Sequence, residues 1–349
     1  MAEDYFRNLK ETTETRFWIN NPSAREIDLA LAQGAVSCTT NPAYCSKLLQ
    51  SDPEYIQTVI DRVVLEEPDI EKAAVRVYQE AASRIMRAFE PVYRKSGGTA
   101  GFVTIQDDPR CDEDTARTVA VSMENRTLGP NYMTKIPVIK GGIEAIAACV
   151  EEDIPICATE IFSISQAVRI AEVYTAASRA SGNKPPFYVT HISGIFDEYL
   201  GKIAAREGID IDSAVLRQAG LAVARKEYRV LKTMGVPAHL MGGGARDTHH
   251  FTGLVGGDAH ITVNWSTARE IMDSDEAVSP TIDATTPQPV LDELREKFVD
   301  FRRAWDDDGL DSDAEFNGYG PVQLFRNAFL KGWYLLLAEM ASRKAAKAL

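Results

Sequence analysis

A short apolar run followed by a stretch of helical period recurs along this chain, and that alternation narrows the available folds more than any other feature. The runs at 16–20, 35–39, 101–106, 132–136, 154–159, 187–192, 238–241 and 260–263 predict eight strands. Helical stretches predicted between them include one starting after Ser23, where Ser23-Ala-Arg-Glu26 forms a capping box, and stopping at Gly34. Two more lie within 52–94, and others cover 141–151, 164–181 and 208–235. Alternating strands and helices imply a parallel sheet with right-handed crossovers, and eight such units predict a closed (β/α)8 TIM barrel. The rival is an open doubly wound sheet, which favours Gly-x-Gly-x-x-Gly after its first strand. Here Asn20-Asn21-Pro22-Ser23 stands at that place.

The barrel is expected to occupy residues 1–275, and a helical extension packed on it residues 276–349. The stretch 275–289, rich in Asp, Thr and Pro, reads as a linker. Helices are predicted at 290–305 and 321–348, separated by an acidic loop at 306–313. In the last helix Leu324, Phe325, Phe329, Trp333, Leu336 and Leu337 form a stripe that needs cover, on the barrel or at a homo-oligomer contact.

Composition removes several functions. The 349 residues carry a formal net charge of −13, which disfavours a nucleic-acid partner. No apolar run reaches the ~18–20 residues of a membrane span, and the first residues have no apolar signal-peptide centre. The five cysteines are scattered and never spaced Cys-x-x-Cys. They are read as reduced thiols in a cytoplasmic protein.

In a barrel of this kind the chemistry sits at the C-terminal ends of the strands. The polar groups predicted there are Asn20; Thr39, Thr40 and Asn41; Gln106 and Asp107; Lys135; Thr159 and Glu160; Thr190 and His191; and the glycine-rich turn that runs through Gly244 to Arg246. Lys135 is the most telling. It interrupts Tyr132-Met-Thr-Lys-Ile136, a run that reads as a buried strand. An amine held in the barrel mouth is shifted toward its neutral form and can attack a ketone to give a Schiff base. The structural alternative is an ammonium at the rim held by salt bridges.

Thr39-Thr40-Asn41-Pro42 resembles a signature of the transaldolase family, as does Lys135-Ile136-Pro137 with Gly142 five residues on. Ala158-Thr159-Glu160-Ile161-Phe162-Ser163-Ile164-Ser165-Gln166-Ala167 and Met241-Gly242 with Arg246 resemble two further motifs of that family, in family order. The resemblance extends from about residue 16 to 273. It implies a (β/α)8 barrel performing class I Schiff-base aldol transfer or cleavage on a ketose or ketose phosphate, in carbohydrate metabolism, without metal or organic cofactor. It implies Lys135 as the Schiff-base lysine. Thr39 and Asn41 match residues bonded to the ketose, and Thr159 the threonine that holds a catalytic water with the strand-three residue. That residue, Gln106, stands where transaldolases have Glu and fructose 6-phosphate aldolases have Gln. Arg246 matches a phosphate-binding arginine, with Gly244 and Thr190 beside the same substrate. Without the resemblance, Asn41-Pro42 is an ordinary tight turn and Arg246 a solvated surface charge.

Five positions depart from the family. Asn20 replaces the strand-one aspartate that serves as acid/base, and an amide cannot titrate. General acid–base catalysis contributes ~10²–10⁴-fold, so another group is required for ordinary turnover. Asp107, Glu160 and His191 are candidates, His191 standing foremost by titration range. A second phosphate-binding arginine is replaced by Gly194 or Ile195, and the serine near Arg246 by Gly244. Phosphate would then rest on Arg246 and loop N–H groups, aided by Lys202. Lys140 and Gly141 point to a remodelled mouth.

A metal-dependent barrel hydrolase would want His-x-His on strand one, which Trp18-Ile19-Asn20 excludes. The His249-His250 pair reads as solvated or capping, and the acidic loop as solvated, since Ala304 takes its first EF-hand position. The competing function is a barrel that has lost its acid/base and only binds a sugar or sugar phosphate.

Overall fold

The computed structural model describes residues 5–274 and 276–347. Its strands are β1 (Arg16–Asn20), β2 (Ser37–Thr39), β3 (Val103–Ile105), β4 (Tyr132–Pro137), β5 (Ile156–Ile161), β6 (Phe187–His191), β7 (His239–Gly242) and β8 (Ala259–Val263). They pair in parallel in chain order, and β8 returns to β1 with Phe17 opposite Ile261. The fold is therefore the (β/α)8 TIM barrel with added helices, and the open sheet is excluded.

The period-two alternation of each strand divides the side chains into two layers. Phe17, Ile19, Ile136, Ile156, Val189 and Ile261 face outward and join the large core under the helices. Trp18, Phe102, Met133, Cys157, Tyr188 and Met241 form a separate apolar floor inside the ring. Two residues further along β1, β4, β5 and β6, the same parity brings Asn20, Lys135, Thr159 and Thr190 into the mouth above that floor. Thr39, directly opposite Asn20, joins them from β2.

Several elements differ from expectation. The 208–235 segment is not one helix. Asp212 caps a short turn, Ser213–Leu216, by accepting from the Ala214 N–H, and the main helix is Ala219–Met234. The Ser193–Glu207 helix after β6 was not foreseen. The 290–305 stretch breaks at Phe298, whose buried ring goes with an extended backbone between Gln288–Lys297 and Val299–Trp305. The capping box forms as read, with the Ser23 N–H donating to the Glu26 carboxylate at 2.7 Å.

The final helix, Gly320–Lys347, lies against the Tyr44–Ser51, Pro53–Glu66 and Ile70–Lys95 helices. It buries Phe325, Phe329, Trp333 and Leu336, while Leu324 and Leu337 are partly buried. Trp333 meets Tyr78 edge-on, and Arg343 pairs with Asp61 at 2.9 Å. This face of the stripe is thus covered by the chain itself. Residues 276–287 carry no helix, and Asp275 lies outside the described residues. In the acidic loop Asp306 pairs with Arg295 and Asp307 with Lys226, so those carboxylates serve to fasten the loop. Among the described residues, no helix is long and apolar enough to cross a membrane.

Candidate active site

A cavity of about 270 Å³ opens at the C-terminal end of the barrel. Asn20, Thr39, Asn41, Lys135, Thr159, Thr190, Gly244 and Arg246 all line it. These residues come from six separate stretches of chain and are gathered there only because the ring closes.

Lys135 is 7 % exposed. Its Nζ donates to the Thr40 carbonyl at 3.3 Å and sits 5.4 Å from the centre of the Phe329 ring. Among the described residues no carboxylate lies within ion-pair distance of it. Burial holds its pKa below the ordinary lysine value, against the opposing pull of Cys157 and Glu160. The wall above the amine is apolar, built by Phe325, Ala328 and Phe329 of the final helix. An amine kept from water without a counter-ion is the arrangement that makes a lysine nucleophilic.

Asn20 accepts from Thr39 Oγ1 at 3.0 Å and donates to Asn264 Oδ1 at 3.1 Å. Thr39 also shares a 2.6 Å bond with Thr262. Asn41 spends its side-chain oxygen on the Ala43 N–H, which fixes the turn into the Tyr44–Ser51 helix. Thr190 Oγ1 lies 3.3 Å from Cys157 Sγ.

Gln106 and Thr159 are both buried. Gln106 Nε2 donates to Glu160 Oε1 at 3.1 Å. Gln106 Oε1, Thr159 Oγ1 and Glu160 Oε2 are enclosed without protein partners.

The three proposed substitutes for the strand-one acid part company here. His191 follows Thr190 on β6, so alternation turns it outward; its Nδ1 meets Glu227 of the Ala219–Met234 helix at 2.9 Å, and it does not line the cavity. Asp107 is held by Arg117 at 3.1 Å. Glu160 alone joins the Gln106–Thr159 group.

Arg246 lines the cavity, but its Nε donates to Glu198 at 2.9 Å, and Lys202 donates to the same carboxylate at 2.6 Å. Burial works against ionisation of Glu198, yet these two cations together hold it below the usual range. The turn before Arg246 needs glycine twice over. Gly244 has φ +64°, and a Cβ there would meet Ile192 at 2.3 Å. A Cβ at Gly194, one of the two positions that could hold the missing arginine, would lie 2.4 Å from the Gly244 carbonyl oxygen.

Sequence reasoning missed several wall residues. Cys157 and Thr262 follow from strand alternation. Lys47, Asn264, Phe325 and Phe329 had no local signal, because loops and the distant tail deliver them. Lys47 Nζ donates to the Asn21 carbonyl at 2.9 Å. Lys140 is exposed at the helix start after β4, its N–H bonded to Asn317.

Two other clusters have ligand-like spacing, His239–Asp258–His260 and Asp197–His249–His250. In the first, His260 Nδ1 accepts the Trp18 indole N–H at 2.8 Å, so the proton of the neutral ring sits on the nitrogen facing Asp258. In the second, Arg217 lies 3.0 Å from His249 Nδ1, and Asp197 already takes the Gly220 N–H. Both are explained as hydrogen-bond networks.

Residues 17–317 match the family model described as transaldolase/fructose-6-phosphate aldolase. Transaldolase 1 of Streptomyces coelicolor is 28 % identical over 309 residues, covering 79 % of this chain and 75 % of that protein. Transaldolase 1 of Streptomyces avermitilis is 29 % identical over 231 residues, covering 60 % of this chain and 59 % of that protein. The transaldolase of Mycobacterium ulcerans is 27 % identical over 213 residues, covering 58 % of this chain and 56 % of that protein.

Proposed function

The chain belongs to the transaldolase/fructose-6-phosphate aldolase family, and from that premise we propose that it is a transferase or lyase that makes or breaks an aldol bond in a ketose or ketose phosphate through a Schiff base on Lys135. The observation that carries this reading is the buried Lys135 amine in the cavity wall, without a carboxylate partner among the described residues and beside the apolar Phe329 ring. The neutral amine adds to the ketose carbonyl to give a carbinolamine. Loss of water leaves an iminium; the C4 hydroxyl then gives its proton to water and closes to the C=O of the released aldehyde, while the C3–C4 electron pair passes to the iminium. The enamine is then captured by an aldehyde or a proton. The protonated imine is itself the electron sink, so the scheme uses no metal or organic cofactor.

Thr39, Asn20, Asn41 and Thr190 supply hydrogen bonds to hydroxyls of the bound sugar, and the Gly244–Arg246 turn meets its far end. A phosphate there must compete with Glu198 for Arg246, which makes recognition of phosphate weaker than a free guanidinium would give.

Borohydride reduction in the presence of dihydroxyacetone or fructose 6-phosphate, followed by peptide mass mapping, tests this. The expected adduct is on Lys135 and is lost in Lys135→Met. No adduct, or one on the neighbouring Lys47, overturns the reading. Asn20, an untitratable amide bonded to Thr39 and Asn264, favours one second reading, a barrel that only binds a sugar or sugar phosphate. Thermal stabilisation by the sugar phosphate with no trapped imine would select it.

A further inference from the structure

Glu160 occupies a position that no packing requirement explains. It follows Thr159 where the β5–β6 register slips between Ala158 and Ile161. Its φ is +61°, the left-handed region, which costs a residue with a side chain of order 1–3 kcal/mol. Strand alternation would turn Glu160 outward. At this irregularity it instead bonds to Gln106 from the end of β3. Gln166 Nε2 holds the peptide in place by donating to the Glu160 carbonyl at 3.1 Å.

The carboxyl is fully buried, yet it makes no ion pair among the described residues. Lys135 Nζ is bonded to the Thr40 carbonyl. The Arg326 guanidinium goes to the Pro109 carbonyl, Glu113 and Asp112. One Glu160 oxygen takes the Gln106 amide; the other is unpartnered, next in sequence to the unpartnered hydroxyl of Thr159. Leaving that oxygen unmet costs about 1–3 kcal/mol. Thr159 lines the cavity beside Lys135, and Glu160, next to it in the chain, lies near enough for its charge and that of the amine to act on each other.

Resting on the Schiff-base reading above, we propose that Glu160 is the proton-exchanging group for making and hydrolysing the imine on Lys135. As the acid it protonates the departing hydroxyl of the carbinolamine: the C–O bond breaks, its electron pair leaves with oxygen as water, and the nitrogen lone pair closes the C=N bond. As the carboxylate it takes a proton from the water that adds back to the iminium carbon. Gln106 orients the carboxyl and Thr159 the water.

The charged groups facing Glu160 are Lys135 from β4, Arg326 from the final helix and Asp112 from the loop after β3. Burial pushes Glu160 up to about 7, with the Gln106 amide, Lys135 and Arg326 pulling the other way. Burial raises Asp112 well above the carboxylate range, and the charge of Glu160 adds to that rise. Both protonation states of Glu160 are therefore accessible near neutral pH, as exchange in both directions requires.

The test is the rate at which the full-length protein exchanges the carbonyl oxygen of dihydroxyacetone with ¹⁸O-water, from about pH 5 to pH 9. The wild type should give a bell-shaped profile centred near neutrality. Glu160→Gln should flatten the bell and slow exchange ~10²–10⁴-fold. The exchanged pair Gln106→Glu/Glu160→Gln, which returns a carboxyl to the same contact, should regain about tenfold or more over the single variant and restore a bell. An unchanged rate and profile in Glu160→Gln overturns the assignment, as does a double variant no faster than the single. Should Glu160→Gln fail to fold, Glu160→Asp decides: a bell displaced along the pH axis supports the role, and an undisplaced one defeats it. Absence of a borohydride adduct in the wild type defeats the Schiff-base reading itself. An adduct on Lys135 with unaltered exchange in Glu160→Gln defeats this assignment alone.

Discussion

At the scale of single residues, one hydrogen-bond donor or one step of strand parity decides what a side chain can do. His191 is the imidazole among the three candidates, but parity gives it to Glu227 on the outer face. Asn20 has the right parity and the wrong chemistry. Asn20→Asp places a titratable oxygen in the mouth but removes the donor to Asn264 Oδ1. The variant should lose about 1 kcal/mol in urea unfolding. Its C–C cleavage should quicken about tenfold or more, because a base now meets the sugar hydroxyl. Product analysis beside the ¹⁸O measurement separates faster C–C cleavage from any change in imine formation. At Gly194 an arginine has no room. Its Cβ would strike the Gly244 carbonyl and shift the Arg246 turn. Gly194→Arg should therefore raise KM for fructose 6-phosphate in steady-state assays.

At the scale of elements, the final helix does more than cover the barrel. Phe329 packs beside the Lys135 amine, and Arg326 reaches Asp112 and Glu113 on the far side of the mouth. Phe329→Ala should cost about 3 kcal/mol of stability, read by chemical denaturation. It should also admit water to Lys135. Burial keeps that amine's pKa low, so hydration raises it and leaves less neutral amine at pH 7. Imine formation should slow at neutrality and recover as the pH is raised, which the pH dependence of borohydride trapping will show. The helices themselves were legible where capping and periodicity agreed, as at Ser23 and Glu26. They were misread where a cap opens only a single turn, as Asp212 does.

At the scale of the whole molecule, two buried groups at opposite ends of the barrel give opposite pH dependences. His260 lies under the floor, bonded to Trp18, and burial drops it to about 4. Its folded value is below its unfolded value near 6.5, so the stability it contributes is complete above pH 6.5 and lost as pH falls toward 4. Glu160 is raised from 4.5 to about 7, so its contribution is complete below pH 4.5 and lost as pH rises toward 7. Relative to the wild type, His260→Gln should gain thermal stability as pH falls from 6.5, and Glu160→Gln as pH rises from 4.5. Melting curves across that interval measure both differences.

The sequence by itself determined the closed ring and its membership. Alternating periods of two and 3.6 dictate parallel strands under helices, and parity dictates that Lys135 and Thr159 share the inner face. The family motifs then pointed to the amine. Only the tertiary structure decided what surrounds it. Glu160 reaches Gln106 through a register slip and a left-handed residue, and the roof over Lys135 comes from a helix nearly two hundred positions away. Periodicity describes regular backbone and near neighbours; a bulge breaks the first, and a distant helix lies beyond the second.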